Sequence, residues 1–308
     1  MKKNQRELAE RKQRISLIEK KLREGTHFFV KPTYDIAFRK LFGKEAPDSI
    51  AISLLNTLLE LPEDQKVTEI VKLDTYSSGE FADEPFTVQD FLCKDQNNQQ
   101  YLVELQIAKK NYFEERMLFY FAKNYRAQIK GKVDYSALKK LYCIAIIGFD
   151  IFPELTTFKH NATIRLEENN QRIMHHFDTT FIELTKFTKS VDECKTAFDH
   201  WLLFLKQNDY LEKLPDNLHD DDIIEAYNLI DSYNWDEEEQ KVSDKIQTFE
   251  ADKLNAEQTK QMMLQEAKKK GGIEAKLEIA KSLLEAEMNI EQVAKITGLS
   301  IEEIKQIK

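Results

Sequence analysis

Two acidic side chains and one amide stand at positions that could hold a metal ion. Asp90 lies at the centre of the apolar segment 86–94, and Glu104 and Gln106 lie in the apolar segment that follows a polar turn. Successive side chains of a strand point to opposite faces, so Glu104 and Gln106 share one face. If the turn centres on Asn97, we expect a β-hairpin in which Asp90 faces Glu104.

This register sets two like charges against each other. It also pairs Leu92 with Leu102 and Val88 with Gln106. Side chains directly opposed on a sheet lie about 4.5–5.5 Å apart at Cβ, where like charges repel. Two carboxylates beside two leucines therefore require a cation to balance their charge. A hard divalent ion such as Mg²⁺ fits oxygen ligands, and the Leu105 carbonyl would be the third ligand.

A carboxylate-bound metal ion favours hydrolysis of a phosphodiester. That reaction needs a metal ion to polarise the phosphate, an activated water, and cations for the developing charge. Gln106 would lie close to the attacking water or to a phosphate oxygen. A basic stripe on the next helix would follow a nucleic-acid backbone, although a solvated helix face is the alternative. The stripe comprises Arg116, Lys123, Arg126 and Lys130.

The elements around the hairpin predict an α/β fold. An amphipathic helix is expected over residues 111–130, with an aromatic side opposite the basic stripe. Residues 141–148 form a continuous apolar run, which is typical of a central parallel strand. With the strand over 101–107 they make a βαβ unit, whose crossover should be right-handed.

Asp35 allows two interpretations. The segment from Pro32 opens a helix for which Thr33 is a plausible cap and which Gly43 ends. In the functional interpretation Asp35 leans from this helix towards the metal site as an extra carboxylate. In the other, it is a first-turn acid that suits the helix dipole and pairs with Arg39.

Charge patterning divides the chain into four segments. Residues 1–30 form a basic helical arm, with nine Lys or Arg against four Glu in residues 1–24. Residues 31–215 form the core. Residues 216–270 are helical and peripheral, acidic at first and then mixed in charge, and Gly271-Gly272 ends them. Residues 271–308 form a small helical tail.

The tail carries two capping patterns. Asn289 with Gln292 and Ser300 with Glu303 match capping boxes, and Gly298 stands between the two short helices. This arrangement resembles half of a helix-turn-helix. Contact with DNA and a role in packing or self-association both remain open for it.

Composition excludes several classes of protein. The net charge of −9 argues against a chain that coats nucleic acid, but it allows a local basic cleft. Three separated cysteines predict buried thiols in a reducing compartment. With no membrane-length apolar run and no signal-peptide core, we expect a cytoplasmic protein. The chain has no glycine-rich phosphate loop and no G-x-S-x-G turn, which disfavours nucleotide-binding enzymes and nucleophilic hydrolases.

An ordered set of motifs resembles a known family. The set is Pro32-Thr-Tyr-Asp-Ile-Ala-Phe-Arg-Lys-Leu-Phe42, Asp90, Glu104-Leu-Gln106, the aromatic helix through Tyr125, and Asp134-Tyr-Ser-x-Leu-Lys. It is similar to the Rpn family of recombination-promoting nucleases, also called PD-(D/E)XK nuclease family transposases. The resemblance covers about residues 30–190, and the tail over residues 279–304 is similar to tails in the same family.

The resemblance implies a restriction-endonuclease-like PD-(D/E)XK core, with a mixed β-sheet flanked by helices and a helical C-terminal extension. It implies a DNA endonuclease that uses Mg²⁺, with Mn²⁺ as a substitute, and that promotes recombination. Asp90 is then the hairpin acid and Glu104 the acid of the E-x-K element. Gln106 stands where that element has lysine, and an amide cannot act as a cation.

Two hypotheses follow from these residues. In the first, the protein cuts DNA, and cutting both strands favours a homodimer. In the second, it is a nuclease-fold protein with little or no catalysis that serves as a DNA-binding or assembly module. In either case the acidic segment 216–239 could restrain the basic cleft until DNA displaces it.

Overall fold

The structure, a computed structural model, describes residues 2–74, 76–77, 87–88, 90–129, 134–206, 211–285 and 288–306. The chain forms two compact units, Met1–Asp236 and Glu237–Lys308. Among the described residues, no helix is both long enough and apolar enough to cross a membrane.

The first unit is a sheet with helices around it. Its helices are α1 (Lys2–Arg23), α2 (Asp35–Phe42), α3 (Asp48–Leu59), α4 (Phe113–Ala127), α5 (Ala197–Lys206) and α6 (Asp221–Ile230). Its strands are β1 (Ile70–Lys72), β2 (Tyr76–Ser77), β3 (Thr87–Val88), β4 (Phe91–Asp95), β5 (Gln100–Gln106), β6 (Leu141–Ile147), β7 (Lys159–Thr163) and β8 (Phe177–Glu183).

Six of these strands form one mixed sheet in the order β1-β4-β5-β6-β8-β7. β5, β6 and β8 run parallel, and their neighbours β4 and β7 are antiparallel to them. β1 is antiparallel to β4 and so runs in the same direction as β5. Every residue of β6 is buried, as expected for a central parallel strand. The predicted βαβ unit is confirmed, because α4 connects β5 to its parallel neighbour β6.

The core beside the hairpin lies between the sheet and α4. Leu92 and Leu102 pair across β4 and β5, as predicted. They are buried in one cluster with Phe113, Met117 and Tyr120 of α4. The helix therefore packs its aromatic side onto the sheet face that carries Leu102, and Glu104 lies two residues further along that face.

The core extends beyond the boundary predicted near residue 215. α6 packs against α1, α2 and α3. Its Ile223, Ile224 and Tyr227 are each at most 1% exposed. The acidic residues that suggested a solvated peripheral segment occupy only one side of this helix, and the apolar side is part of the core.

The basic arm is also part of this unit. Ile15 and Leu22 of α1 are buried. Arg11 forms an ion pair with Asp222 of α6 at 2.6 Å, and Arg14 pairs with Glu225 at 2.6 Å. Two acids of α6 thus pair with cations of the N-terminal helix rather than with a basic cleft.

Several local predictions need correction. Tyr34, not Thr33, is the N-cap residue of α2, and its side chain makes no capping bond. The predicted strand over residues 86–94 is interrupted at a bend, and Val88 pairs with Tyr76 in a separate two-stranded sheet instead of with Gln106.

Two further elements complete the edge of this unit. Residues 191–193 form a separate 3₁₀ turn before α5, which begins at Ala197. Arg165 and Arg172 form an isolated bridge between β7 and β8. The sequence of β8, Phe-Asp-Thr-Thr-Phe-Ile-Glu, mixes polar with apolar residues.

The second unit consists of α7 (Glu237–Glu285), α8 (Ile290–Thr297) and α9 (Ile301–Lys305). Contrary to the prediction, α7 continues through Gly271-Gly272. A glycine inside a helix costs only about 1 kcal/mol relative to alanine, and strong helix formers flank this pair. The Ser300 capping box and the left-handed Gly298, with φ of 67°, are confirmed. Val293, Leu299 and Ile304 are buried together against the end of α7.

Candidate active site

The hairpin brings Asp90 and Glu104 together. Phe91 pairs with Val103, so the next position on each side places Asp90 beside Glu104. The Asp90 carboxylate accepts a hydrogen bond from the Leu105 amide at 2.6 Å. A backbone hydrogen bond at Asp90 in turn favours the charged form of Glu104. These contacts hold the two acids at the carboxyl end of β5.

Glu104 is a buried acid that is only partly satisfied. It is 6% exposed, and its Oε2 is buried with no hydrogen-bond partner among the described residues. Its Oε1 lies 3.4 Å from Nη2 of Arg116. Burial, together with the negative charge of Asp90, raises the pKa of Glu104 to about 8 against the weaker opposing effect of Arg116.

Asp90 lies at the open side of the same site. Loss of solvation raises its pKa, and the charge of Asp35 raises it further. The hydrogen bond from the Leu105 amide and the positive charges of Arg116 and Lys110 act in the opposite direction. Both acids therefore resist ionisation unless a cation is supplied.

Gln106 and Arg116 are bound to each other. Nη2 of Arg116 donates to Oε1 of Gln106 at 2.6 Å, and Nε2 of Gln106 donates to the Ala108 carbonyl at 2.9 Å. The guanidinium lies over the rings of Phe113 and Tyr120, at 5.3 and 6.0 Å from their centroids. Arg116 thus places a cation beside Gln106, the position at which the E-x-K element has lysine.

Two models of known protein families match the sequence of this chain. A family model described as PD-(D/E)XK nuclease family transposase matches residues 32–260, more than half of the chain. The chain belongs to this family. A second model, described as the Rpn/YhgA-like nuclease family C-terminal HTH domain, matches residues 274–308. No curated protein and no solved structure matched the chain in the corresponding searches.

The family resemblance and the α/β fold expected from the sequence are both confirmed. The mixed sheet with flanking helices is the fold expected for a PD-(D/E)XK nuclease, and α7 to α9 are the helical extension. The last two helices, which resembled half of a helix-turn-helix, lie within the matched HTH domain.

The acid pair has the chemistry that a divalent metal ion requires. No group of three His, Cys, Asp or Glu in the described residues forms a ready ligand set. Mg²⁺, however, is often bound by only one or two carboxylates and keeps several waters. The unpartnered Oε2 of Glu104 and the charge repulsion from Asp90 fit such an ion. The residues present therefore fit the metal that PD-(D/E)XK nucleases generally use.

Asp35 has a place in the electrostatics of the site. It is the first residue of α2, it is exposed, and its charge acts on Asp90. The helix dipole favours an acid at this position in any case, so both interpretations of Asp35 describe part of its surroundings. Whether it binds a metal remains a prediction.

The predicted basic stripe divides in the structure. Arg116 belongs to the acid site and not to the side opposite the aromatic residues, because it is three residues from Phe113 and four from Tyr120. Lys123 is half-buried, and Arg126 is exposed near the end of α4. Lys130 lies outside the described residues. DNA contact by Lys123, Arg126 and Lys130 therefore stays a prediction.

Sequence reasoning missed three contributors to this site. Arg116 was assigned to the wrong side of its helix, although helical spacing already places it beside Tyr120. Lys110 lowers the pKa of both acids, and its position just beyond β5 is the signal that could have indicated it. The pKa of Tyr120 is raised by burial and by Glu104, so its hydroxyl remains protonated beside the acids.

The raised pKa of Glu104 predicts a stability that falls with pH. Between the ordinary glutamate pKa of 4.5 and about 8, the folded state retains a proton that the unfolded state has lost. Unfolding free energy should therefore decline over this range in EDTA, by a few kcal/mol at most. In Glu104→Gln the part of this decline that Glu104 contributes should be absent, and only the part from Asp90, whose pKa is also raised, should remain. The variant should therefore be the more stable protein at pH 8.

Urea unfolding at a series of pH values checks this prediction. Glu114→Gln removes an exposed carboxylate from the first turn of α4 and is the matched control, which should follow the wild type. Parallel pH profiles for the wild type and Glu104→Gln would show that Glu104 titrates normally.

Proposed function

We propose that the protein is a Mg²⁺-dependent DNA endonuclease that hydrolyses phosphodiester bonds and promotes recombination or transposition-like events. One observation carries the proposal. Oε2 of Glu104 is buried next to a second acid and has no hydrogen-bond partner in the part of the chain that the structure describes, and the chain belongs to a nuclease family. A fold of this kind gains nothing in stability from two desolvated like charges.

Asp90 and Glu104 would hold the metal ion, with the Leu105 carbonyl as a further oxygen ligand and Asp35 as a nearby acid. When bound, the ion would polarise the scissile phosphate and lower the pKa of a bound water. Mn²⁺ accepts the same carboxylate and carbonyl oxygens and should substitute for Mg²⁺.

The protein's own residues have separate roles in this proposal. Glu104 must lose its proton before it can act as a ligand, since its pKa of about 8 leaves it mostly protonated at neutral pH. Gln106 positions Arg116 through the 2.6 Å hydrogen bond. Arg116 then supplies the positive charge for the developing negative charge on the phosphate.

DNA is the proposed partner. The HTH domain over residues 274–308 and the cations Lys123, Arg126 and Lys130 are the proposed points of contact. A homodimer would present one acid pair to each strand of a duplex. The three free cysteines are all buried, which fits our placement of this activity in the reducing cytoplasm.

A second function is favoured by one observation. Both polar atoms of the Gln106 side chain already hold a hydrogen bond, Oε1 with Arg116 and Nε2 with Ala108, which leaves each with reduced capacity for a water or a phosphate. A protein with such a site could bind or assemble on DNA with little or no catalysis. The two functions differ in whether a divalent ion leads to cutting.

Plasmid nicking separates the two functions. Wild-type protein with Mg²⁺ should convert supercoiled plasmid to the open circle, and EDTA should prevent this. Asp90→Asn and Glu104→Gln keep the size of each side chain but remove a ligand charge, and each should reduce the nicking rate at least about 100-fold.

Glu114→Gln should nick like the wild type. If the wild type binds plasmid DNA tightly but leaves it intact with Mg²⁺ and with Mn²⁺, the binding-module function is correct and the endonuclease proposal is not. Equal nicking by the wild type and by both site variants would assign the activity to a contaminant.

The role of Arg116 generates a separate prediction. Arg116→Ala should lower the nicking rate about 100-fold, because it removes the cation held at the site. Arg116→Lys should retain an intermediate rate, since lysine keeps the charge but not the planar fork. The single-turnover rate with excess protein is the measurement. Lys195→Ala, which removes an exposed cation elsewhere, is the control. A fully active Arg116→Ala protein would refute this role.

A further inference from the structure

A polar cavity lies at the end of the parallel strands that is opposite to the acid pair. Its volume is about 760 Å³, within the usual range for small-molecule sites. Lys140 and His176 line it, and their carbonyls accept hydrogen bonds from the first residues of β5 and β6. Glu104 stands four residues beyond the start of β5, a rise of about 13 Å. The cavity is therefore separate from the acid site.

The lining of the cavity is positively charged. It contains Lys139, Lys140 and Arg172, and no Asp or Glu among the described residues. Three acids outside the lining are bound to it. Asp178 pairs with Lys140 at 2.5 Å and with Arg172, Asp134 accepts hydrogen bonds from the backbone and the hydroxyl of Ser136, and Asp95 accepts the backbone amides of Asn97 and Gln99. The charged side chains of the lining itself are thus all cations, which suits a phosphate.

Part of the cavity lining is held in place although one of its hydrogen-bond donors has no partner among the described residues. Nε of Arg172 is buried and has no hydrogen-bond partner among the described residues. The Lys140 ammonium lies 4.0 Å from the centroid of the Tyr142 ring, and the Tyr125 hydroxyl lies 2.8 Å from Nδ1 of His176. Lys140 and Arg172 are therefore oriented before a ligand arrives, which reduces the entropy lost on binding.

An aromatic side chain completes the cavity. Tyr135 is 77% exposed, and it belongs to a 3₁₀ turn that Asp134 caps. Exposed aromatic rings among cations are the typical surface for a stacked base next to a phosphate. Tyr135 and Lys139 lie in the same wall of the cavity, four residues apart.

We propose that this cavity binds a nucleotide, with its base stacked on Tyr135 and its phosphate on Lys139, Lys140 and Arg172. The nucleotide would come from a single strand of nucleic acid or from free nucleotide in solution, and the chemistry of recognition is the same. The site does not depend on the endonuclease activity, because it shares no residue with the acid pair.

Binding of single-stranded DNA in EDTA tests the proposal with the full-length chain. Fluorescence anisotropy of a labelled oligothymidylate should show about five- to tenfold weaker binding for Tyr135→Ala, the loss of one stacked base. Tyr135→Phe keeps the ring and should bind like the wild type. Lys139→Ala should lower the slope of log affinity against log salt by about one phosphate contact.

Lys195→Ala is the charge-matched control outside the cavity, and thermal melting establishes that each variant is folded. Competition with unlabelled thymidine monophosphate distinguishes the two sources of the ligand. Displacement of the oligonucleotide by the mononucleotide assigns the site to free nucleotides, and resistance to displacement assigns it to a strand.

The proposal is overturned if Tyr135→Ala and Lys139→Ala both bind the oligonucleotide and the mononucleotide as Lys195→Ala does. Plasmid nicking by the same variants is recorded separately with Mg²⁺. Failure of the cavity to bind a nucleotide and failure of the acid pair to cut DNA are then independent results.

Discussion

The main constraint on this protein is the adjacent pair of carboxylates of Asp90 and Glu104, in surroundings that solvate them poorly. Water would normally stabilise the charge of Asp90 and Glu104, but the surrounding protein removes much of that stabilisation and raises the pKa of both groups. Protein partners compensate only in part, since Oε2 of Glu104 has none among the described residues. The fold therefore maintains an arrangement that favours either a retained proton or a bound cation.

The rest of the first unit explains how this arrangement is tolerated. The hairpin fixes the separation of the acids through its register, and the βαβ crossover brings α4 back over the same sheet face. Phe113 and Tyr120 hold the guanidinium of Arg116 against Gln106, so the cation does not neutralise Glu104 by a short ion pair. The fully buried strand β6 and the apolar cluster beneath α4 contribute the folding stability that offsets the unfavourable acid pair.

Sequence patterns predicted the parts of the fold that depend on local periodicity. The alternation of side chains around Glu104 predicted the sheet face on which it lies and its partner Asp90. The apolar run 141–147 predicted a central strand. Features that depend on tertiary contacts were not predictable in the same way. The acidic composition of residues 216–239 obscured the buried side of α6, and only the packing of Ile223 and Tyr227 assigns that helix to the core. The side of α4 on which Arg116 lies was predictable from its spacing to Phe113 and Tyr120, but its hydrogen bond with Gln106 was not, because that contact joins two different elements.

Calorimetric titration with Mn²⁺ at pH 7, in two buffers that differ in ionisation enthalpy, measures both metal binding and the protons that accompany it. Because Glu104 is mostly protonated before it binds an ion, roughly one proton should be released per bound metal ion. Glu104→Gln should bind the ion much more weakly and release no proton. Unchanged Mn²⁺ affinity in Glu104→Gln, or binding by the wild type without proton release, would show that the acid pair does not hold the ion.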